Sequence, residues 1–482
     1  MSAAAQSAAN ADALPVGDLV VGVDSSTQSC KVVAVDLATG SQVATGAAAH
    51  PDGTFIDPHL WTSALEVAWE EAGIAALGQR VAGVSVAAQQ HGMVGVDEDN
   101  EPVHDALLWN DVRSAEEAEA MVSALGANEW MEAVNLLPVA SFTLTKLAWL
   151  TKNSPEAAAR LKTVGLPHDW LNLQLSGAWS TDRSDATGTA YFDALSNEYH
   201  PELLKRFFGR VPLLPTVLAP NATAGMLLPR WGAGAAVVGA GMGDNAGAAL
   251  GLELEPGEIV VSIGTSGTVF TVSEDPVRDI SGQLAGFADA TGRHLPLQAT
   301  INAARVMVAG AAMLDVDLAE FDRLALAAAP DAGGMTLLPY LDGERTPNLP
   351  DATGSMVGLT RSNMTPENMA RASVLAVLNS LADALDSLAA FNVPVKRVLL
   401  IGGGAKSRAL REAAATVFGV PVDVPEPREY VALGAARQAA WAATGVLPVW
   451  GRRIEESFMP HGEWGAVVRE RYVAARKAVY GR

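Results

Sequence analysis

Two stretches of the chain share one pattern of apolar and polar positions, LVVGVDSSTQSCKVVAVD (Leu19–Asp36) and EIVVSIGTSGTVFTVSED (Glu258–Asp275). Each predicts an apolar β-branched strand, a tight turn of small hydroxyl, amide or glycine residues, and a second strand. A hairpin tip of Ser, Thr and Gly offers backbone N–H and hydroxyl donors to a phosphate chain, with no bulky side chain in the way. Two such hairpins, roughly two hundred residues apart, predict a duplicated architecture that grips one nucleotide from both sides.

The pattern between and beyond them alternates helices and strands. Helical periodicity covers Trp61–Leu77, and a buried-type strand, VAGVSVAA (Val81–Ala88), stops abruptly at Gln89-Gln90-His91-Gly92. A short strand at Val94–Val96 is closed by the turn residues Asp97-Glu98-Asp99-Asn100. The polar run Leu108–Ser114 opens a helix from Ala115, whose early Glu116 and Glu117 suit the positive end of the helix dipole. Residues 140–230 are helical and loop-rich, and Pro167–Thr189 is dense in polar and aromatic residues. The strand Ala235–Gly241 runs into GMGDNAGAALG (Gly241–Gly251). Thr365-Pro366 predicts a helix start, a hydroxyl N-cap followed by proline at N1, and Leu378, Leu381, Leu385 and Leu388 form one buried stripe. The strand Val395–Ile401 meets Gly402-Gly403-Gly404 and leads into another helix. Strands alternating with helices in both halves give an α/β fold.

At 482 residues the chain is too long for one core. The expected organisation is a disordered N-terminal extension at 1–18 and two domains, 19–250 and 251–482. Composition narrows the classes further. A hydrophobic content of 49% with 18% charged residues excludes general disorder, and no apolar run in the sequence reaches the ~18–20 residues of a membrane span. The N-terminus lacks the basic region and apolar core of a secretory signal. Cys30 is the single cysteine, so an intrachain disulfide and a cysteine-rich zinc site are both excluded. These features point to the cytoplasm. A formal charge of −21 repels nucleic acid and anionic lipid, so an anionic ligand must be held by local donors or a divalent cation.

Five groups could carry chemistry. Asp24 ends a strand on the first hairpin. A carboxylate there would repel phosphate unless Mg²⁺ stands between them, through water; the alternative is a turn aspartate capping its own loop. Asp244, alone among small residues after a buried strand, suits a general base for an alcohol. The alternative is a helix N-cap, by Asp244 or Asn245. Gly241-x-Gly243-x-x-Ala246 also matches a dinucleotide-binding pattern, but Asp244 would occupy the turn meant for the pyrophosphate. Gln89, Gln90 and His91, with Trp109, Asn110, Asp111 and Arg113, supply amides, imidazole, indole and a fork-shaped donor. That set suits a small polyhydroxylated molecule. Gly402, Gly403 and Gly404 let nucleotide groups lie against bare backbone near a helix N-terminus.

These features, in this order, resemble the FGGY carbohydrate kinases. The resemblance runs from about Leu19 to about Gly445. It is carried by VGVDSSTQSCK, AQQHGMV, LWNDVRS, PHDWLNLQLSGAWSTDRSDATGT, GDNAGAALG, SIGTSGTVF, LLPYLDGERTPNLPDATGSMVGLT, LIGGGAKS and EYVALGAARQAAW. It implies two ribonuclease-H-like (actin/hexokinase-type) domains around a central cleft, and ATP-dependent phosphorylation of a sugar. The implied sugar is D-xylulose ahead of ribulose, gluconate or erythritol. A non-catalytic sugar or nucleotide sensor is the alternative from another class. In these terms Asp244 is the base and Asp24 helps place Mg²⁺. Gln90, His91, Trp109, Asn110, Asp111, Arg113 and Asn245 hold the sugar, while Ser26, Thr27, Lys31, Gly264, Thr265, Gly402, Gly403, Gly404 and Ser407 hold ATP. The implied partners are the sugar and ATP, with neither nucleic acid nor membrane, and with room for a homodimer. The chain departs from the family pattern twice. Asp24-Ser25-Ser26-Thr27 replaces Asp-x-Gly-Thr, and Gln90 stands where methionine is common, a change that bears on the sugar pocket.

Overall fold

The computed structural model describes residues 17–481. The disordered extension expected at 1–18 falls, up to residue 16, outside the described residues. The chain divides into two compact units. Met1–Leu252, Ala290–Gly292 and Glu429–Trp450 form the first; Glu253–Asp289, Arg293–Arg428 and Gly451–Arg482 form the second.

In the first unit, β1 (Leu19–Ser25) and β2 (Ser29–Asp36) make the expected hairpin, and β3 (Gln42–Ala49) extends it antiparallel. On its other side β1 pairs in parallel with β4 (Val81–Ala88). Beyond lie β5 (Thr223–Met226), β6 (Val237–Gly239) and the two-residue β7 (Met242–Gly243). The sheet order is β5-β6-β4-β1-β2-β3, with β7 also on β4. The central strands are apolar on both faces because both faces are covered. Val21 and Val23 pack with Trp61, Leu65 and Trp69 of the helix Pro58–Glu71. Val20, Val33 and Val35 pack with Ala432, Leu433 and Ala436 of the helix Tyr430–Thr444.

That second helix comes from far along the chain, in the stretch 251–482 that chain order assigns to the other domain. It lies in the first unit because its small residues allow backbone contact with β1. A Cβ on Gly22 would stand 1.8 Å from Ala432 O, and one on Gly434 would stand 1.9 Å from Gly247 O. The same helix therefore seats β1, which carries Asp24, and the helix Asp244–Gly251, which starts at Asp244.

The second unit repeats the plan. β8 (Glu258–Ile263) and β9 (Gly267–Thr271) form the second hairpin. They are joined by β10 (Ala285–Ala288), β11 (His294–Thr300), β12 (Arg397–Ile401), β13 (Val422–Pro425) and β14 (Ile454–Phe458) in the order β10-β11-β9-β8-β12-β13-β14. In both sheets the first hairpin strand pairs antiparallel with the second and parallel with a later strand, the ribonuclease-H-like arrangement. The duplication expected from the two hairpins is therefore a duplication of whole sheets.

Two expectations change in detail. The helix over Trp61–Leu77 is two pieces, Pro58–Glu71 and Ile74–Leu77, because Gly73 takes φ +64° between them. The helix Pro366–Ala390, capped by Thr365 as expected, is long and apolar enough by length and composition to cross a membrane. The absence of an apolar run of membrane-span length expected from the sequence is thereby corrected. Its apolarity is spent on packing: 78% of its most apolar window is buried, and Leu378, Leu381, Leu385 and Leu388 all lie in the core of the second unit.

Candidate active site

Sheet register assembles the first-unit residues. Ser25 of β1 and Gly243 of β7 both stand level with Ala88 of β4. Three chain segments thus leave the sheet at one height: Ser26 after β1, Gln89-Gln90-His91 after β4, and Asp244 after β7. In parallel sheets the carboxyl ends of strands are where ligands bind. β1 and β7 flank β4, so their backbones stand two strand spacings apart, roughly 10 Å, which leaves room between Asp24 and Asp244 for a phosphoryl group.

Asp24 is buried at the end of β1. Burial pushes its carboxyl up to about 6; the Ser26 hydroxyl and Lys31 oppose this, and Glu429 adds to it. The Ser26 hydroxyl donates to Asp24 Oδ1. Lys31, opposite Asp24 across the hairpin, spends its ammonium on Glu429 at 2.6 Å. Asp244 does not cap its helix: Gly243 is the N-cap and Asp244 is the first helical residue. Its Oδ1 accepts from Asn245 N at 2.7 Å and Asn245 Nδ2 at 2.8 Å, while no hydrogen bond from Asn245 goes to Oδ2. Burial first, then the charge of Asp24, raise its carboxyl to about 7. The charge of Asp24 disfavours ionisation of Asp244, a situation that a cation or a shared proton relieves.

The residues expected at the sugar fall into two sets. Gln90, Asn245 and Asp244 form one chain, with Gln90 Oε1 accepting from Asn245 Nδ2 at 3.1 Å. His91 is buried beside Phe142, ring centroids 5.0 Å apart. Trp109 donates its indole N–H to Thr27 Oγ1 at 2.9 Å, linking the LWNDVRS run to the hairpin tip. Asn110 donates to Gly53 O at 3.3 Å. Asp111 and Arg113 are largely committed to each other. Asp111 Oδ1 accepts from Arg113 Nε at 2.8 Å, its Oδ2 accepts from Thr54 at 2.8 Å, and the guanidinium lies over Phe55 and Trp149. Near Asp111, Lys146 is fully buried, donates to Ser141 O, and is held down to about 7 by desolvation.

In the second unit some of the residues expected at the nucleotide also converge. Ser262 pairs with Ile401, so the tip Gly264-Thr265 lies beside Gly402–Gly404. The three glycines differ. Gly402, at φ +91°, presses on Ile263 O, and Gly404 presses on the Ile263 side chain, whereas a Cβ on Gly403 would meet nothing within 4 Å. Ser407 caps the following helix and donates to Asp322, whose carboxylate also accepts from Arg408 N and Ala409 N at 3.1 and 3.2 Å. That helix N-terminus is already occupied by an anion of the chain itself.

Among the described residues no three His, Cys, Asp or Glu side chains form a ready metal cluster. Sequence reasoning missed Gln438, whose amide holds the backbone of Gly241 at both N (2.9 Å) and O (3.1 Å) below the base loop. It also missed Ser184, which bonds Gln90 and Gly243, and Asp185, which bonds His168.

Two family models cover most of the chain. The FGGY family of carbohydrate kinases, N-terminal domain, matches residues 19–251, and the C-terminal domain of the same family matches 259–443. A xylulose kinase of Streptomyces coelicolor is 46% identical over 438 residues, 89% of each chain. One of Streptomyces rubiginosus is 43% identical over 443 residues, 90% of this chain and 89% of its own. The crystal structure of xylulose kinase from Bifidobacterium adolescentis superposes with a TM-score of 0.88 at 42% identity, covering 95% of this chain and 99% of that one.

Proposed function

Because the chain belongs to the FGGY family of carbohydrate kinases, we propose that it phosphorylates D-xylulose at the terminal 5-hydroxyl, with ATP as donor and Asp244 as base. The single observation that carries the base assignment is the register that sets Asp24, Gln90 and Asp244 at one end of one sheet. The names of its relatives support the sugar.

Asp244 Oδ2 takes the proton of the 5-hydroxyl as that oxygen attacks the γ-phosphorus. The new O–P bond forms in line with the bond to the β-phosphate oxygen, which breaks to release ADP. Asn245 fixes Oδ1, so the base presents one oxygen in a set direction. A carboxyl raised to about 7 is a stronger proton acceptor than an ordinary aspartate and is still half ionised at neutral pH. Gln90 and His91 hold sugar hydroxyls.

Asp24 fits a magnesium ion held through water, since it is a hard oxygen donor buried next to a second acid, with the neighbouring Lys31 already paired to Glu429. When bound, the ion neutralises phosphate charge and polarises the γ-phosphoryl group. In the second unit, Gly264, Thr265 and the open backbone at Gly403 suit the nucleotide. A chain that uses ATP suits the cytoplasm.

A coupled ADP-release assay across D-xylulose, D-ribulose, gluconate, glycerol and erythritol tests the substrate. D-xylulose should give kcat/KM at least about tenfold above the others. A flat response with D-xylulose and a strong one with another polyol would overturn the sugar and leave the kinase standing.

A further inference from the structure

The polar segment Pro167–Thr189 has no role in the steps above, yet its end touches both sides of them. The short helix Arg183–Ala186 and the turn Thr187–Thr189 are buried throughout. Ser184 O accepts from Gln90 Nε2 at 3.4 Å, and Ser184 Oγ accepts from the backbone N–H of Gly243 at 3.2 Å. Asp185 accepts from His168 Nδ1 at 2.6 Å. His91 itself takes φ +70°, a conformation that a non-glycine residue holds only when its surroundings impose it. Its ring fills the space beside Gly188: a Cβ there would stand 1.9 Å from His91 Nδ1 and 2.3 Å from Cε1. Gly188 has no left-handed φ, so an alanine would meet the imidazole rather than backbone strain.

We propose that this turn is the positioning element of the sugar site. Asp185, bonded to His168, anchors the turn, Gly188 leaves the space in which the His91 imidazole stands, and Ser184 ties the turn to Gln90 and to the loop bearing Asp244. The width at residue 188 then sets where the imidazole meets the sugar, which makes Gly188 a specificity-determining position. The inference rests on the reading of His91 as a sugar contact.

A double-mutant cycle separates the two. Gly188→Ala, His91→Ala and the double variant are compared by KM for D-xylulose, KM for ATP and thermal melting. His91→Ala should raise the sugar KM about tenfold, the worth of a lost hydrogen bond. Gly188→Ala should raise it to a similar degree, with KM for ATP within about twofold of wild type. In the His91→Ala background Gly188→Ala should add less than about twofold, since its target is gone. If His91→Ala leaves the sugar KM at the wild-type value, the reading of His91 fails. If His91→Ala raises it but Gly188→Ala acts equally with and without the imidazole, or not at all, the positioning role fails while that reading stands. If Gly188→Ala shows no melting transition, Asp185→Asn enters the same cycle with the same expectation. Asparagine removes the charge that holds the His168 ring and so loosens the turn that carries Gly188.

Discussion

Asp244→Asn is expected to lower kcat by about 10²–10⁴-fold, the usual worth of a general base, while sugar and ATP still bind within a few-fold of wild type. Asparagine keeps the shape and can still accept from Asn245, so the loss isolates the proton acceptor. Single-turnover phosphoryl transfer, with calorimetry for binding, checks both halves. Activity above about a tenth of wild type would remove Asp244 as the base. The same variant carries a stability signature whose sign follows from linkage. In the folded chain the Asp244 carboxyl stands at about 7, above its ordinary 3.8. Between those values the folded state holds more protons than the unfolded, so stability falls as pH rises through that window. Asparagine never ionises. Asp244→Asn should therefore melt higher than wild type at pH 8, and the gain should fade towards pH 5. Wild-type kcat/KM should fall as pH drops below about 7, because the base must be ionised to act.

Asp24→Asn is the second large effect. It should lower kcat on the order of 10²-fold and raise the magnesium concentration that gives half-maximal rate. A magnesium titration under the ADP-release assay reads both. Loss of rate with an unchanged magnesium dependence would make Asp24 a turn residue, the alternative its sequence context also allowed. The bond from Ser26 to Asp24 Oδ1 survives in asparagine, which keeps the hairpin tip intact and the comparison clean.

The residues that were legible in the sequence sit where a pattern breaks. Asp24, Gln90 and Asp244 each stand at or just past the end of an apolar strand, where a polar group has few structural reasons to be. The sheet plan was legible for a related reason: period-two and continuous apolar runs mark strands locally. What chain order hides is which distant elements meet. EYVALGAARQAAW carried family resemblance, but only packing reveals that Gly434 lies against Gly247 and that Gln438 holds Gly241. Pairing between charged groups, near and far in the chain, decided their roles as well. Lys31 read as a phosphate donor, and its ammonium goes to Glu429 at 2.6 Å. Asp111 and Arg113 read as sugar contacts, and they bond mainly to each other. Ser184 and Asp185 were inside a segment noted for its polarity, with no local sign that one short turn reaches both Gln90 and Gly243.

The central claim is that this chain moves the γ-phosphoryl group of ATP onto the terminal hydroxyl of D-xylulose. Phosphorus NMR of the wild-type reaction, with proton coupling retained, tests it most directly. The account predicts a new phosphomonoester resonance split by the two protons on C5, growing in step with ADP. ADP appearing with inorganic phosphate alone, or a phosphomonoester coupled to a single ring or chain proton, would contradict it.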